Sequence, residues 1–348
     1  MQPKAIVVFG DCRDIHVVAR NVAAERGIPF FSFEEGYVRP SYVTFERGGN
    51  NAHSPLTRYV AEMKEGNEDA GPPVGPTFGR MAFSAAWYLI LLRMGKAAFP
   101  HFRNHRQRRL LPEIVFWMRS YLRRLSGSRR EAALIRHLRE NHWKSYFVVA
   151  LQVYDDLQLR HHADGWTTRS LIETSIVSFS QHAAAFAHLC IKQHPLDRGH
   201  VSYRDEVTAM TGRLGIGGRV HYLAGGDVPN LLEGAAGLVT INSTIAVGAL
   251  LHHCPVFACG DAFYRVPGLI AEGRDKSAMA KFFAGPPAAN EDIAGRLSSE
   301  RHRQFSDSRQ LLCQENLAGA RDRRAECLEQ SGGPFSTTGS EFPFASLR

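Results

Sequence analysis

The chain has 348 residues, 44% of them hydrophobic and 22% charged, proportions that exclude a mainly disordered, collagen-like or disulfide-scaffold protein. At roughly 100–200 residues per domain the length fits two domains or one large one. Forty-two Lys and Arg against 34 Asp and Glu leave a formal charge of +8, which favours anionic partners: nucleic acid, acidic lipid, or phosphorylated and carboxylated substrates.

The first apolar run, residues 5–9 (AIVVF), stops at Gly10 and Asp11 and is far too short for a secretory leader. It reads as a buried parallel strand. Residues 14–26 follow as a helix that Gly27 ends, and 28–33 as a second strand running into Glu34-Glu35-Gly36. Residues 69–77 (DAGPPVGPT) are loop. From 78 to 144 the pattern is helical. Its most apolar part, 81–92, is followed by Arg93 and Lys96, whereas a membrane span needs about 20 apolar residues; a soluble or peripheral protein is expected. Between 103 and 144 stand twelve Lys or Arg and three Glu, a local charge of +9.

Residues 146–153 (YFVVALQV) return to buried-strand composition and close at Tyr154-Asp155-Asp156. Helix is expected over 168–189 and 203–214, with a strand-to-loop passage from Ile191 through Lys192-Gln193-His194-Pro195 between them. Short strands at 220–223, 238–241 and 256–258 alternate with helices at 228–233 and 243–251. This alternation implies βαβ units and parallel sheets. A charged helix is expected over 291–331 and a loose tail over 332–348. The six cysteines show no CxxC pair and no His–Cys ligand spacing, which reads as reduced, buried thiols in a cytoplasm and no zinc site.

Several strand ends carry chemistry. Glu34 and Glu35 stand where α/β sheets bind ligands, and paired carboxylates raise each other's pKa toward acid–base use; two adjacent glutamates equally suit a solvated loop. Gln152, Asp155, Asp156 and Gln158 leave a second strand, where an Asp is either a nucleophile or a helix N-cap. Lys192, His194 and Pro195 bring cations and a rigid turn to a third, suited to a phosphate or, for the histidine, to a satisfied core position. Asn242-Ser243-Thr244 precede a helix, with Ser243 as candidate N-cap and the free amides facing an anion. No GxGxxG stands at a strand–helix turn and no Walker sequence is present, so dinucleotide and P-loop chemistry is discounted.

Five stretches in order, FGDCRDIHVVA (9–19), FEEGYVRPSYVTFERGGNNAHSPLTR (33–58), LQVYDDLQLRHHA (151–163), IKQHPLDRGHVSY (191–203) and LLEGAAGLVTINSTIAVGALLHHCPVFACGDAFYRVPGL (231–269), resemble the capsule polysaccharide biosynthesis/export family, the KpsS-like β-Kdo glycosyltransferases. The resemblance spans about residues 5–285. It implies a GT-B-like α/β fold of two Rossmann-like domains with parallel sheets and a helical insertion. The domains are expected at 1–163 (acceptor side, with the basic segment 78–144) and 164–290 (CMP-sugar side). Family members carry a further stretch before the strand matching 5–9, so the first domain is expected to be incomplete at its start.

The resemblance also implies roles. Asp156, at the Asp of the LQ-x-x-x-D-x-Q pattern, is the nucleophile of a retaining transfer, and Glu34 or Glu35 supplies the acid/base carboxylate. Arg39, Gln152, Gln158, Lys192, His194, Pro195, Asn242, Ser243 and Thr244 hold the CMP-Kdo donor. The family's Lys-His-His-Pro reads Lys192-Gln193-His194-Pro195 here, so only His194 carries over. Fixed cations and dipoles on the leaving CMP remove the need for a metal, and no cofactor is expected. The implied partners are CMP-Kdo, a phospholipid or Kdo-primed lipid acceptor, an anionic membrane surface at the inner face of the cytoplasmic membrane, and other capsule assembly/export proteins, but not nucleic acid. Alternatives are another CMP-nonulosonate (sialyl-type) transferase and a catalytically silent export subunit.

Overall fold

The computed structural model describes residues 3–37, 43–59, 78–102 and 110–287; the helix expected at 291–331 and the tail at 332–348 lie outside them. Strand β1 (Ile6–Phe9) pairs in parallel with β2 (Phe30–Glu35) through helix α1 (Asp14–Glu25), with Phe9 opposite Phe33. Strand β3 (Val43–Arg47) then turns back antiparallel on β2, with Phe33 opposite Phe45 and Ser32 opposite Glu46. A 3-10 turn (Asn51–His53) and the short helix α2 (Leu56–Tyr59) complete this part. Helices α3 (Phe78–Gly95) and α4 (Leu110–Asn141) follow.

The remainder forms the larger sheet. Its elements are β4 (Tyr146–Ala150), α5 (Leu157–His162), α6 (Thr168–His182), β5 (His188–Lys192), α7 (Arg204–Arg213), β6 (Val220–Leu223), α8 (Val228–Glu233), β7 (Gly237–Thr240), α9 (Ile245–Leu251), β8 (Val256–Ala258) and α10 (Lys276–Ala284). The strands are all parallel, in the order β6-β5-β4-β7-β8, which in chain order is the 3-2-1-4-5 winding of a nucleotide-binding Rossmann sheet.

β4 shows why a continuous apolar run suits this position. Tyr146, Val148 and Ala150 enter the core on one face with Ile135, Leu138, Leu231 and Leu250. Phe147, Val149 and Leu151 enter the core on the other face with Ile176, Phe179 and Phe282. Both faces are dry, and each such side chain contributes about 1.5–3 kcal/mol by leaving water. Tyr146 satisfies its hydroxyl by donating to the Leu231 carbonyl (2.7 Å).

The α/β reading with two sheets holds, with four corrections. β1 was expected to be buried, yet Val7 and Phe9 lie exposed on one face, because an apolar run reads alike whether one face or both are covered. The smaller sheet is mixed rather than all parallel, since β3 escapes a search for apolar runs: VTFER alternates, and its second inward residue is Glu46. Glu34 and Glu35 end β2 itself rather than opening a loop. The helix expected over 168–189 stops at His182, and residues 188–190 already belong to β5.

β4 is the central strand of the larger sheet, and helix α4, grouped by its sequence position with the first domain, packs on that sheet too. Ile135 and Leu138 are buried against it. Arg139 donates to Asn230 and Glu233 (both 2.6 Å), and Glu131 accepts from the Ala224 amide (2.8 Å). Further up the helix, buried Glu113 lies 3.7 Å from His200 and Arg123 donates to the Arg198 carbonyl (2.5 Å).

The backbone of Gly199 sits directly on the Phe116 carbonyl, where a Cβ would overlap. Substituting Gly199→Ala is therefore expected to force α4 off the 195–200 segment and to cost about 2 kcal/mol or more in urea unfolding; an unchanged midpoint would show that the contact gives way freely.

Candidate functional site

The strand order gathers three of the predicted groups. β5, β4 and β7 are neighbours, so the segments leaving their carboxyl ends (Lys192-Gln193-His194-Pro195, Gln152 to Gln158, and Asn242-Ser243-Thr244) lie side by side. Connections from β4 run toward β5 in one direction, while β7 lies on the other side. The seam between β4 and β7 is therefore the switch point at which doubly wound sheets bind ligands.

Side-chain amides close that seam. Gln152 Nε2 donates to Asn242 Oδ1 (2.7 Å), and the Asn242 amide N–H donates to Gln152 Oε1 (3.1 Å). Both residues are buried. Asn242 Nδ2 goes on to donate to the His162 carbonyl (3.2 Å), at the end of α5. On the other side, buried Asp197 accepts from the Tyr154 amide (2.9 Å) and ties the β5 segment to the β4 segment.

Asp156 is the N-cap of α5 and accepts from the Gln158 amide (3.0 Å). Of the two readings of this residue, the N-cap is the one its hydrogen bond displays. Among the described residues Gln158 Oε1 is buried without a hydrogen-bond partner. His194 is partly exposed and accepts from the Leu196 amide (3.2 Å), and Pro195 is exposed. Thr244, not Ser243, occupies the N-cap position of α9, and it makes no side-chain cap bond; Ser243 Oγ receives only a long bond from the Ile245 amide (3.4 Å). Lys192 departs from its expected role at an open edge: its side chain is 3% exposed and Nζ donates to the Gln193 carbonyl (2.9 Å). Burial lowers its pKa to about 8, against an upward pull from Glu131. Arg39 lies outside the described residues.

The glutamates belong to the smaller sheet, which meets the seam through residues without assigned roles in the sequence reading. Asp11, fully buried after β1, accepts from the Asn50 amide (3.2 Å) and faces His53 Nδ1 (2.9 Å) and Arg20 Nη1 (3.5 Å). Burial alone would raise its pKa, but the bonds from His53 and Cys12 outweigh that and hold the carboxyl below its ordinary value. Gly49 (φ +147°) passes so close to Asp11 and His53 that no side chain fits. His53 packs edge-on against His162 (4.6 Å between ring centroids), so the smaller sheet touches the helix that Asp156 caps; six helical residues rise only about 9 Å. Tyr37 stacks on Phe263 (4.0 Å), and Thr57 donates to the Phe263 carbonyl (2.9 Å). Glu34 Oε2 accepts from Asn51 Nδ2 (3.3 Å), and Glu35 is exposed.

Glu46 is the other acid of this sheet. It is buried with no regular hydrogen bond to either oxygen, although the Ser54 and Tyr37 hydroxyls are near enough to pull its pKa back down. Burial dominates and raises it to about 7. His162 is shifted the opposite way, to about 4, by burial and then by His53, so it is neutral at neutral pH. Among the described residues no group of three His, Cys, Asp or Glu is placed to hold a metal ion, and the four cysteines among them are buried free thiols.

Two tests follow from the buried groups. Asn242→Leu leaves Gln152 Nε2 unpaired and Gln152→Leu leaves Asn242 Oδ1 and the Asn242 backbone N–H unpaired, at about 1–3 kcal/mol for each group; the double substitution, which leaves the backbone N–H as the unpaired group of this pair, should cost clearly less than the sum, and strict additivity would deny the pairing. Glu46 holds its proton to about pH 7 when folded but ionises near 4.5 when unfolded, so its contribution is intact below pH 4.5 and is lost as pH rises through 7. Glu46→Gln should therefore gain about 2 kcal/mol relative to wild type at pH 8 and nothing at pH 4.5, as read from denaturant unfolding at the two pH values.

Residues 4–293 match the model of a family described as capsule polysaccharide biosynthesis protein. The capsule polysaccharide modification protein LipB of Neisseria meningitidis serogroup B is 34% identical over 298 residues, 83% of this chain and 70% of LipB. The capsule polysaccharide export protein KpsS of Escherichia coli is 35% identical over 271 residues, 77% of this chain and 70% of KpsS. Two solved structures are similar at 15% identity: Thermosulfurimonas dismutans KpsC as a beta Kdo 2,7 transferase (TM-score 0.38, covering 84% of each chain) and as a beta Kdo 2,4 transferase (TM-score 0.41, 85% of this chain and 89% of that one). The fold assignment rests on the sheet order and not on these last two. The family match and the two curated relatives place this chain in the capsule polysaccharide biosynthesis protein family.

Proposed function

We propose that the protein is a retaining β-Kdo glycosyltransferase that moves Kdo from CMP-Kdo to a lipid-linked acceptor at the cytoplasmic face of the membrane during capsule assembly. The observation that carries this reading is the seam itself: Gln152 and Asn242 lock β4 to β7 with Asp156, His194 and the Ser243-Thr244 turn at its mouth. The resemblance that gives Asp156 the role of nucleophile and His194, Ser243 and Thr244 the role of donor binding supports this reading.

In this reading Asp156 attacks the anomeric carbon, the bond to the CMP phosphate oxygen breaks, and a glycosyl–aspartate ester forms. The bond from the Gln158 amide (3.0 Å) orients the carboxylate. Leaving CMP carries the electron pair of the broken bond, and His194 with the amides of Ser243 and Thr244 offsets that charge. Glu34 or Glu35 then takes the proton of the acceptor hydroxyl as its oxygen displaces Asp156, restoring the carboxylate; two displacements give net retention. Lys192, buried beneath this turn, acts by positioning the His194 segment.

Asp156→Asn keeps an N-capping side chain and removes the nucleophile. It should lower Kdo transfer by about a thousandfold or more while CMP binding and the thermal midpoint stay near wild type; undiminished transfer would sink the nucleophile assignment. Turnover of CMP-Neu5Ac with none of CMP-Kdo would move the donor to the sialyl type, and failure of the folded protein to bind either would leave a non-catalytic export role.

A further inference from the structure

Helix α4 faces the protein with the wrong residues and solvent with the wrong residues. At 100° per residue, Glu113, Phe116, Arg123, Glu131, Ile135 and Leu138 fall on the side that meets the larger sheet and the 195–200 segment, through the contacts of Glu113, Arg123 and Glu131 already described. Ile114, Val115, Met118, Tyr121, Leu122 and Leu125 fall within an arc of about 120° on the opposite side, and all six are exposed, Leu122 by 61% and Met118 by 60%. Helix α3 repeats the pattern. Phe83, Trp87, Ile90, Leu91 and Met94 share an arc of about 100° and are exposed, Phe83 and Met94 by 71% each. None of its described side chains is buried. A helix that buries little of its apolar surface is marginal in water, and exposed apolar stripes of this size mark an interaction site.

The surrounding charge selects the partner. Arg119 borders the α4 stripe, Arg129 and Arg136 prolong its line toward the C-terminus, and all three are exposed; Glu113 and Glu131 sit on the protein side, leaving Glu140 at the far end as the one acid on that line. Aromatic rings with arginines around an apolar stripe suit a bilayer interface, where rings lie at headgroup level and cations meet anionic lipid. A protein partner would instead favour a contact whose centre excludes charge. Among the described residues no helix is long and apolar enough to cross a membrane, so these helices would lie on the surface.

We infer that α3 and the first half of α4 form an interfacial docking face for an anionic lipid bilayer, and that α4, through its opposite side, seats the His194 segment against that surface. This rests on the reading above that the acceptor is lipid-linked. The full-length protein, mixed with phosphatidylcholine vesicles with and without phosphatidylglycerol, should float only with the anionic ones. Met118→Glu with Leu122→Glu, or Phe83→Glu with Met94→Glu, should weaken binding at least about tenfold, and Arg129→Ala about fivefold. Because these side chains face solvent, thermal unfolding should not change. Absence of flotation, flotation indifferent to phosphatidylglycerol, or variants that float like wild type would overturn the inference. So would a dimer in solution that the same glutamates dissociate, since a second copy would then own the face. CMP-Kdo turnover measured on the same samples separates the two readings: turnover without flotation defeats the docking face alone, and flotation without turnover defeats the transferase alone.

Discussion

The exchange of amides between Gln152 and Asn242 is the interaction on which the site depends. Parallel strands diverge as they leave a twisted sheet, and β4 and β7 part where the winding direction changes. The buried Gln152 side chain gives one hydrogen bond to Asn242 Oδ1 and takes one from the Asn242 backbone N–H across that gap, which fixes the separation of the two exits, and Asp197 fixes the third exit to the first. Asp156, His194 and Ser243 therefore hang from a rigid frame rather than from three independent loops. A preorganised frame of this kind lets polar groups act on a developing charge without reorganising.

Among the described residues, the smaller sheet and the turns after it join that frame through a tyrosine stacked on Phe263, a hydroxyl on the carbonyl of the same residue, two histidine rings edge to face and Leu56 packed on the core. Asp11 makes this possible by holding His53, Arg20 and the Asn50 turn around one buried carboxylate. These contacts on one side and a dense core on the other give the glutamates of β2 a separate mechanical support from the donor groups.

Much of this arrangement could be read from residues alone. The larger sheet was legible because its strands are short apolar runs between turn residues, and 220–223, 256–258 and helix 228–233 fall where the pattern puts them. The three strand-end groups were legible for the same reason. What escaped were features carried by single buried polar residues. Glu46 disguises β3, and Asp11, His53 and His162 form a cluster from three distant segments that no spacing rule connects. Lys192 looked like an open cation because a lysine at a strand end usually is one; it is buried within electrostatic reach of Glu131 of α4, a tertiary placement that no local pattern reveals. The inward residues of α4, Ile135 and Leu138, likewise pack on a sheet that follows the helix in the chain.

The buried thiols have a practical consequence. Cys12 lies beside Asp11 in the smaller sheet, while Cys190, Cys254 and Cys259 lie in the core of the larger one, all inaccessible in the folded chain. A thiol reacts only when its surroundings open. With Cys313 and Cys327 replaced, pulsed alkylation would time the opening of each sheet separately, with no label introduced. The molecule carries its own pair of clocks, one in each sheet.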